Sequence, residues 1–164
     1  MSTPKHKLIV TLPSDTEIKQ ERMFDAPREL VFRAYTDPEM LAQWWGPNGY
    51  TTRVDQLELR PGGKWRFVQH DPDGNEFAFR GEYREVLPPE RLVGTFEFEG
   101  MPGHIAVEAM TLQEIDGGTK LTALMSFDTQ EERDGMIESG MEQGASESLD
   151  RFEDLLMGMQ AAAK

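Results

Sequence analysis

The chain contains no cysteine, which excludes disulfides, thiolate nucleophiles and cysteine-based zinc sites. Histidine is scarce, with only His6, His70 and His104. No Gly-x-Ser-x-Gly element, phosphate loop or dinucleotide fingerprint is present. Long hydrophobic runs are also missing: the N-terminal stretch Leu8-Ile9-Val10 is far too short for a signal peptide or a membrane span. The expectation is a cytoplasmic protein with no membrane insertion. Basic residues are outnumbered, 17 Lys and Arg against 30 Asp and Glu, for a net charge of -13. A nucleic-acid partner is therefore not expected, because phosphate binding is driven by clustered Lys and Arg.

What remains is the composition of a soluble globular protein, 38% apolar and 29% charged. A chain of 164 residues suits one domain able to bury about two-thirds of its unfolded surface. We expect an N-terminal arm or extra edge strand over residues 1–15 and a single domain over residues 16–160. Ile18 marks a first core strand within residues 16–24. Asp25-Ala26-Pro27 then starts a short helix with Leu30, Val31, Ala34 and Tyr35 on its buried stripe, and Asp37-Pro38 starts a second carrying Met40, Leu41, Trp44 and Trp45. Gly46-Pro47 stops it.

From Tyr50 onward the period changes to two. Strands are expected over residues 51–59, 64–71, 76–86, 91–99, 105–115 and 119–127. They are separated by turns such as Pro61-Gly62-Gly63, Asp71-Pro72-Asp73-Gly74-Asn75, Pro88-Pro89 and Asp116-Gly117-Gly118. Short turns between consecutive strands favour an antiparallel meander. Alternation gives one greasy face (Leu57 and Leu59; Trp65 and Phe67; Phe77, Phe79 and Tyr83; Phe96 and Phe98) and one charged face. A helical stretch capped by Asp128 or Thr129 follows and ends near Met159. Its stripe comprises Met141, Ala145, Leu149, Phe152, Leu155, Leu156 and Met159. Gly140 and Gly144 imply a bend there or a close approach by a neighbour. Strands followed by a long covering helix indicate an α+β fold.

Several motifs occur together in order: residues 24–32 (Phe-Asp-Ala-Pro-Arg-Glu-Leu-Val-Phe), Thr36-Asp37-Pro38-Glu39, Trp44-Trp45-Gly46-Pro47, Arg60-Pro61-Gly62-Gly63, Gly81-Glu82-Tyr83, Pro88-Pro89-Glu90-Arg91-Leu92, Gly118-Thr119-Lys120-Leu121 and Ser139-Gly140-Met141-Glu142-Gln143-Gly144. Across roughly residues 16–159 this set resembles the activator-of-Hsp90-ATPase-like family of the START/Bet v 1-like superfamily. The resemblance implies a helix-grip fold: a curved antiparallel sheet of about six or seven strands around a long C-terminal helix, with two short helices after the first strand. Function must be argued from the site, since relatives range from co-chaperone domains to lipid carriers and cyclases.

The leading expectation is a binding protein for a small hydrophobic or aromatic molecule, without cofactor or metal. The candidate cavity residues are Trp44, Trp45, Tyr50, Trp65, Phe67, Phe79, Tyr83, Phe96, Phe98, His104, Met110, Met125, Phe127, Met141 and Gly144. Adjacent helical positions diverge by about 100°, so one of Trp44 and Trp45 should pack inward and the other cover the cavity mouth near Tyr50. A cyclase- or hydrolase-type enzyme is the alternative, with Tyr50, Tyr83, Arg80 or His104 supplying hydrogen bonds or protons. No catalytic residue is assigned. Asp71-x-Asp73-Gly74-Asn75 reads as a β-turn rather than a calcium loop. An Hsp90 partner is disfavoured, because eukaryotic co-chaperones of the family carry a separate domain before the similar one and Thr16 leaves no room for it. The arm could pair with its own sheet or with a partner's edge strand, and the resemblance leans toward a homodimer.

Overall fold

Residues 17–24 alternate strictly between outward and inward positions. Ile18, Gln20, Arg22 and Phe24 are buried, and the residues between them are partly exposed. This period of two fixes β2 (Glu17–Phe24) as a strand with one face against the interior. The same rule sets β3 (Thr51–Leu57), β4 (Lys64–His70), β5 (Glu76–Leu87), β6 (Arg91–Phe98), β7 (Ile105–Ile115) and β8 (Gly118–Ser126). The computed structural model describes residues 6–162. Within them β1 (Ile9–Thr11) pairs antiparallel with β2, Ile9 opposite Glu21. The arm thus extends its own sheet; its first five residues lie outside the described part.

All neighbouring strands are antiparallel, in the order β1-β2-β8-β7-β6-β5-β4-β3. Among the described residues the sheet has eight strands, where six or seven were expected; β1 is the addition. Leu59, expected beside Leu57 on the inner face, is exposed. β3 shifts register between Val54 and Gln56 and ends at Leu57. Glu58 then closes the turn, its backbone N–H donating to the Lys64 carbonyl and its carboxylate accepting from the Lys64 N–H, both at 2.9 Å.

Two short helices follow β2. α1 (Arg28–Thr36) buries Val31, Phe32, Ala34 and Thr36. α2 (Pro38–Trp44) begins at Asp37, whose side chain accepts the Glu39 and Met40 N–H groups at 2.9 and 3.2 Å while Pro38 occupies the first turn. After β8, Thr129 caps α3 (Gln130–Glu138) by accepting the Glu132 N–H. The expected continuous helix is two: α3 stops, Gly140 adopts a φ of 85°, and α4 (Met141–Ala162) begins. Only glycine takes that conformation without steric cost. Among the described residues nothing lies within 4 Å of where a Cβ would sit on Gly140 or Gly144, so Gly140 marks the break between helices, Gly144 sits inside α4, and neither marks a close approach.

α4 crosses the mouth of the curved sheet with Leu149, Phe152 and Leu156 buried toward it. It is bolted to the end of α2, where helix carbonyls lack intrahelical partners. Ser148 Oγ donates to the Trp44 carbonyl at 3.2 Å and accepts the Gly46 N–H at 3.0 Å. The Arg151 guanidinium donates to the carbonyls of Gly46 (2.9 Å) and Gln43 (3.0 Å). A sheet gripping one long helix is the helix-grip architecture.

Candidate functional site

Strand register decides which side chains share the inner wall. Reading across β5, β6, β7, β8 and β2, Tyr83 pairs with Gly94, Gly94 with Glu108, Glu108 with Met125 and Met125 with Ile18. One step along the strands lies the row Leu92, Met110, Ala123 and Gln20. On the other side Trp65 pairs with Gly81. A Cβ on Gly81 would collide with the Thr95 carbonyl and the Trp65 indole, so the ring lies directly over the glycine and reaches toward Phe96, 6.0 Å away between centroids.

Most of the expected aromatic residues form one network of ring contacts, and Trp44 falls in a second with Tyr35, Phe24 and Phe152. Trp45 sets its edge against Phe67 (5.1 Å) and Phe79 (5.2 Å), Trp65 meets Phe67 at 4.7 Å, and Phe79 meets Phe96 and Phe98 at 5.5 and 5.1 Å. Trp44 is buried beneath α1, its indole N–H donating to the Ala34 carbonyl at 2.9 Å and its ring 4.5 Å from Phe152. Tyr83 and Met110 belong to the same core. Met125 sits with Ile18 and Ala106 in a second cluster, joined by Phe127, Met136 and Met141; Phe96 touches both clusters.

Three expected placements differ. Trp45 packs on the inner wall instead of beside Tyr50, whose ring neighbour is Phe77 at 6.3 Å; the chain between them turns at Gly46 and Gly49, both at positive φ. His104 is exposed in the turn before β7, its Nδ1 3.7 Å from Glu132 on α3, so it does not join the aromatic wall. Gly144 meets nothing. Arg80, also named for the enzymatic alternative, lies on the charged outer face where period two puts it and pairs with Glu97 at 3.0 Å. The Asp71 turn is closed by its own carboxylate, which accepts the Asp73 and Asn75 N–H groups at 2.9 Å.

The inner wall also carries polar groups that sequence reasoning missed. Glu108 accepts the Tyr35 hydroxyl on Oε1 at 3.3 Å. Burial pushes the Glu108 carboxyl above its ordinary value, partly opposed by that hydrogen bond. Burial, and secondarily Glu108, pushes the Tyr35 phenol well up, and burial alone raises Tyr83. Arg22, its side chain fully buried, is held by Asp150 (2.7 Å) and faces Glu153 (3.6 Å), both on α4. The signal was available: Glu108 falls in phase with Ala106, Met110 and Leu112, and Gln20 and Arg22 with Ile18 and Phe24. A polar residue in the apolar phase of a strand marks an interior polar site.

Two surface grooves lie elsewhere. One of about 560 Å³ runs along the outside of α4 beside Gln43, Arg151 and Leu155; the other, about 350 Å³, crosses the outer sheet face near Lys19, Arg91 and Thr122. Among the described residues no helix is long and apolar enough to cross a membrane.

The profile of the family described as activator of Hsp90 ATPase homolog 1-like protein matches residues 25–157. The chain belongs to this family. Solved structures with the same fold include a protein from Rhodobacter sphaeroides, 25% identical at a TM-score of 0.87, covering 93% of this chain and 99% of the other. Protein Ms6760 from Mycobacterium smegmatis is 27% identical at a TM-score of 0.83, covering 91% and 96%. DynU16, a protein of the dynemicin biosynthetic locus, is 25% identical at a TM-score of 0.70, covering 88% of this chain and 48% of its own. Among curated proteins no sequence matches the chain. The activator-of-Hsp90-ATPase-like fold is consistent with a hydrophobic ligand-binding cavity between sheet and helix.

Proposed function

We propose that the protein binds a small hydrophobic or aromatic molecule between its curved sheet and α4. One observation carries this reading: Trp45, Phe79, Phe96 and Phe127 belong to the interior clusters yet keep part of their surface accessible. A core packed solid would close over such rings. Small residues at Ala106 and Ala123 keep the wall shallow behind them, and Met125 and Met141 supply adaptable apolar contacts. Residues 16–160 form the ligand-holding unit in this reading, with residues 1–15 as an edge extension, and the protein works in the cytoplasm.

A screen of apolar compounds by thermal unfolding tests the proposal, since a ligand that binds only the native state raises Tm in a concentration-dependent way. A hit whose effect is reduced by Phe96→Ala supports the reading. Failure of every aromatic and aliphatic class sinks it.

The Tyr35–Glu108 pair favours a second reading, an enzyme in which this acid and phenol move a proton on a bound substrate. Product formation lost in Glu108→Gln with ligand affinity retained would select it.

A further inference from the structure

Glu108 is the one acidic side chain in the inward row that runs from Tyr83 to Ile18. Its surroundings are uncompensated. Among the described residues its side-chain hydrogen-bond partner is the Tyr35 hydroxyl, and no Lys, Arg or His pairs with it. The other inward ion, Arg22, already has Asp150 and Glu153 of α4 beside it. Burying a carboxyl without a cationic partner is costly, so its presence on this wall calls for a function.

The second carboxylate oxygen is available. Tyr35 uses Oε1 at 3.3 Å; Oε2 makes no hydrogen bond among the described residues, and it is absent from the sealed, unsatisfied polar atoms, which are Arg22 Nε and Nη2 and Arg28 Nε. It therefore faces reachable space. So does the Tyr83 hydroxyl, which also lacks a partner although Tyr83 is only 6% exposed. Between the two, in register with both, stands Gly94. A Cβ there would lie 3.2 Å from the Glu82 carbonyl oxygen and 3.5 Å from the Tyr83 ring, so the glycine keeps this point of the wall free of a side chain between the two polar groups.

We propose that the occupant of the inner face is an apolar or aromatic amine whose ammonium group docks on Glu108 over Gly94, between Tyr35 and Tyr83. This rests on the ligand-binding reading above and names the chemistry of its ligand. An ammonium supplies the missing countercharge and donates to Oε2 and the Tyr83 oxygen. The ring faces of Tyr35, Tyr83 and Phe96 favour a cation over an anion. The chain's net charge of -13 attracts cations to the mouth and repels carboxylates and phosphates. Docking favours the Glu108 carboxylate, and the ammonium keeps its own three protons.

The test uses three probes with one aromatic body: naphthylmethylamine, naphthalenemethanol and naphthoate, titrated calorimetrically into the full chain near neutral pH. The proposal predicts the amine to bind about tenfold or more tighter than the alcohol, equivalent to about 1.4 kcal/mol, and naphthoate weakest. Glu108→Gln brings the amine down to the alcohol's affinity, while Glu131→Gln, exposed in the first turn of α3, leaves the amine's preference unchanged. Equal affinity of amine and alcohol for the wild type overturns the amine class and leaves the pocket standing, a result that needs no variant to fold. Amine binding undiminished in Glu108→Gln assigns it to surface acids and also overturns the proposal. If none of the three binds, the proposal falls, and the broader screen of apolar compounds decides the pocket reading separately.

Discussion

Phe152 of α4 meets the ring of Phe24 on β2 edge-on, with centroids 5.2 Å apart and planes at 87°. Both are fully buried, and Phe152 also touches Trp44 and Tyr35. One side chain therefore ties the long helix to the sheet and to both short helices. Phe152→Ala should cost about 3–5 kcal/mol, the range for deleting a buried aromatic ring. Urea unfolding checks this through the midpoint at unchanged slope.

The glycines separate by mechanism. Gly81→Ala forces a methyl into the Thr95 carbonyl and the Trp65 indole and should destabilise by about 1–3 kcal/mol, as overpacking does. Gly144→Ala lies in open space inside α4 and should stabilise by about 0.5–1 kcal/mol. Gly140→Ala meets equally open space but at a φ of 85°, so it should destabilise. Thermal unfolding of the three variants orders them.

Asp37 holds two N–H groups of α2. Asp37→Ala should lose about 1 kcal/mol, whereas Asp37→Asn should lose less, because an amide oxygen accepts the same bonds. Denaturant midpoints distinguish the two.

Opposite pKa shifts give opposite pH signatures. The folded Glu108 carboxyl holds its proton above the unfolded value of about 4.5. The native state therefore binds more protons over the window that begins there, and stability falls as pH rises through it. Glu108→Gln should be more stable than wild type near neutral pH, with the gain vanishing below about pH 4. Glu99 is the reverse: its bidentate hydrogen bonds with Arg66, at 2.7 and 3.0 Å, hold its carboxyl below the usual range. Its contribution is present above the unfolded value and lost as pH falls through the folded one. Glu99→Gln should thus be slightly less stable at neutral pH and equal to wild type in acid. Unfolding curves across the acid range read both.

The sequence revealed most where a single local force acts. Period-two alternation located β2 to β8 within a residue or two at most ends, and Asp37-Pro38 and Thr129 announced helix starts through capping chemistry. Trp45 was harder, because its direction depends on how α2 ends at positive-φ Gly46 and not on helical spacing. Leu59 escaped because a bulge and a side-chain-closed turn end β3 early. Gly140 was visible as an anomaly, but only backbone geometry separates a helix break from a close approach. Glu108 was hidden by expectation: hydrophobic pattern reading collects the apolar phase and passes over a charged residue within it. Its meaning emerges when register places it opposite Gly94 and α1 brings Tyr35 down onto it.

The central claim is an accessible space between sheet and helix, and the methionines report on it. Met125, Met136 and Met141 border the inner wall, while Met101 and Met157 are exposed, at 58% and 39%. Titration of the methyl-labelled chain with naphthylmethylamine, followed by NMR, should shift the inner methyl signals in a saturable manner and leave Met101 and Met157 in place. Saturable shifts confined to Met101 or Met157, or no shift of the inner methyls at saturating ligand, would contradict the account.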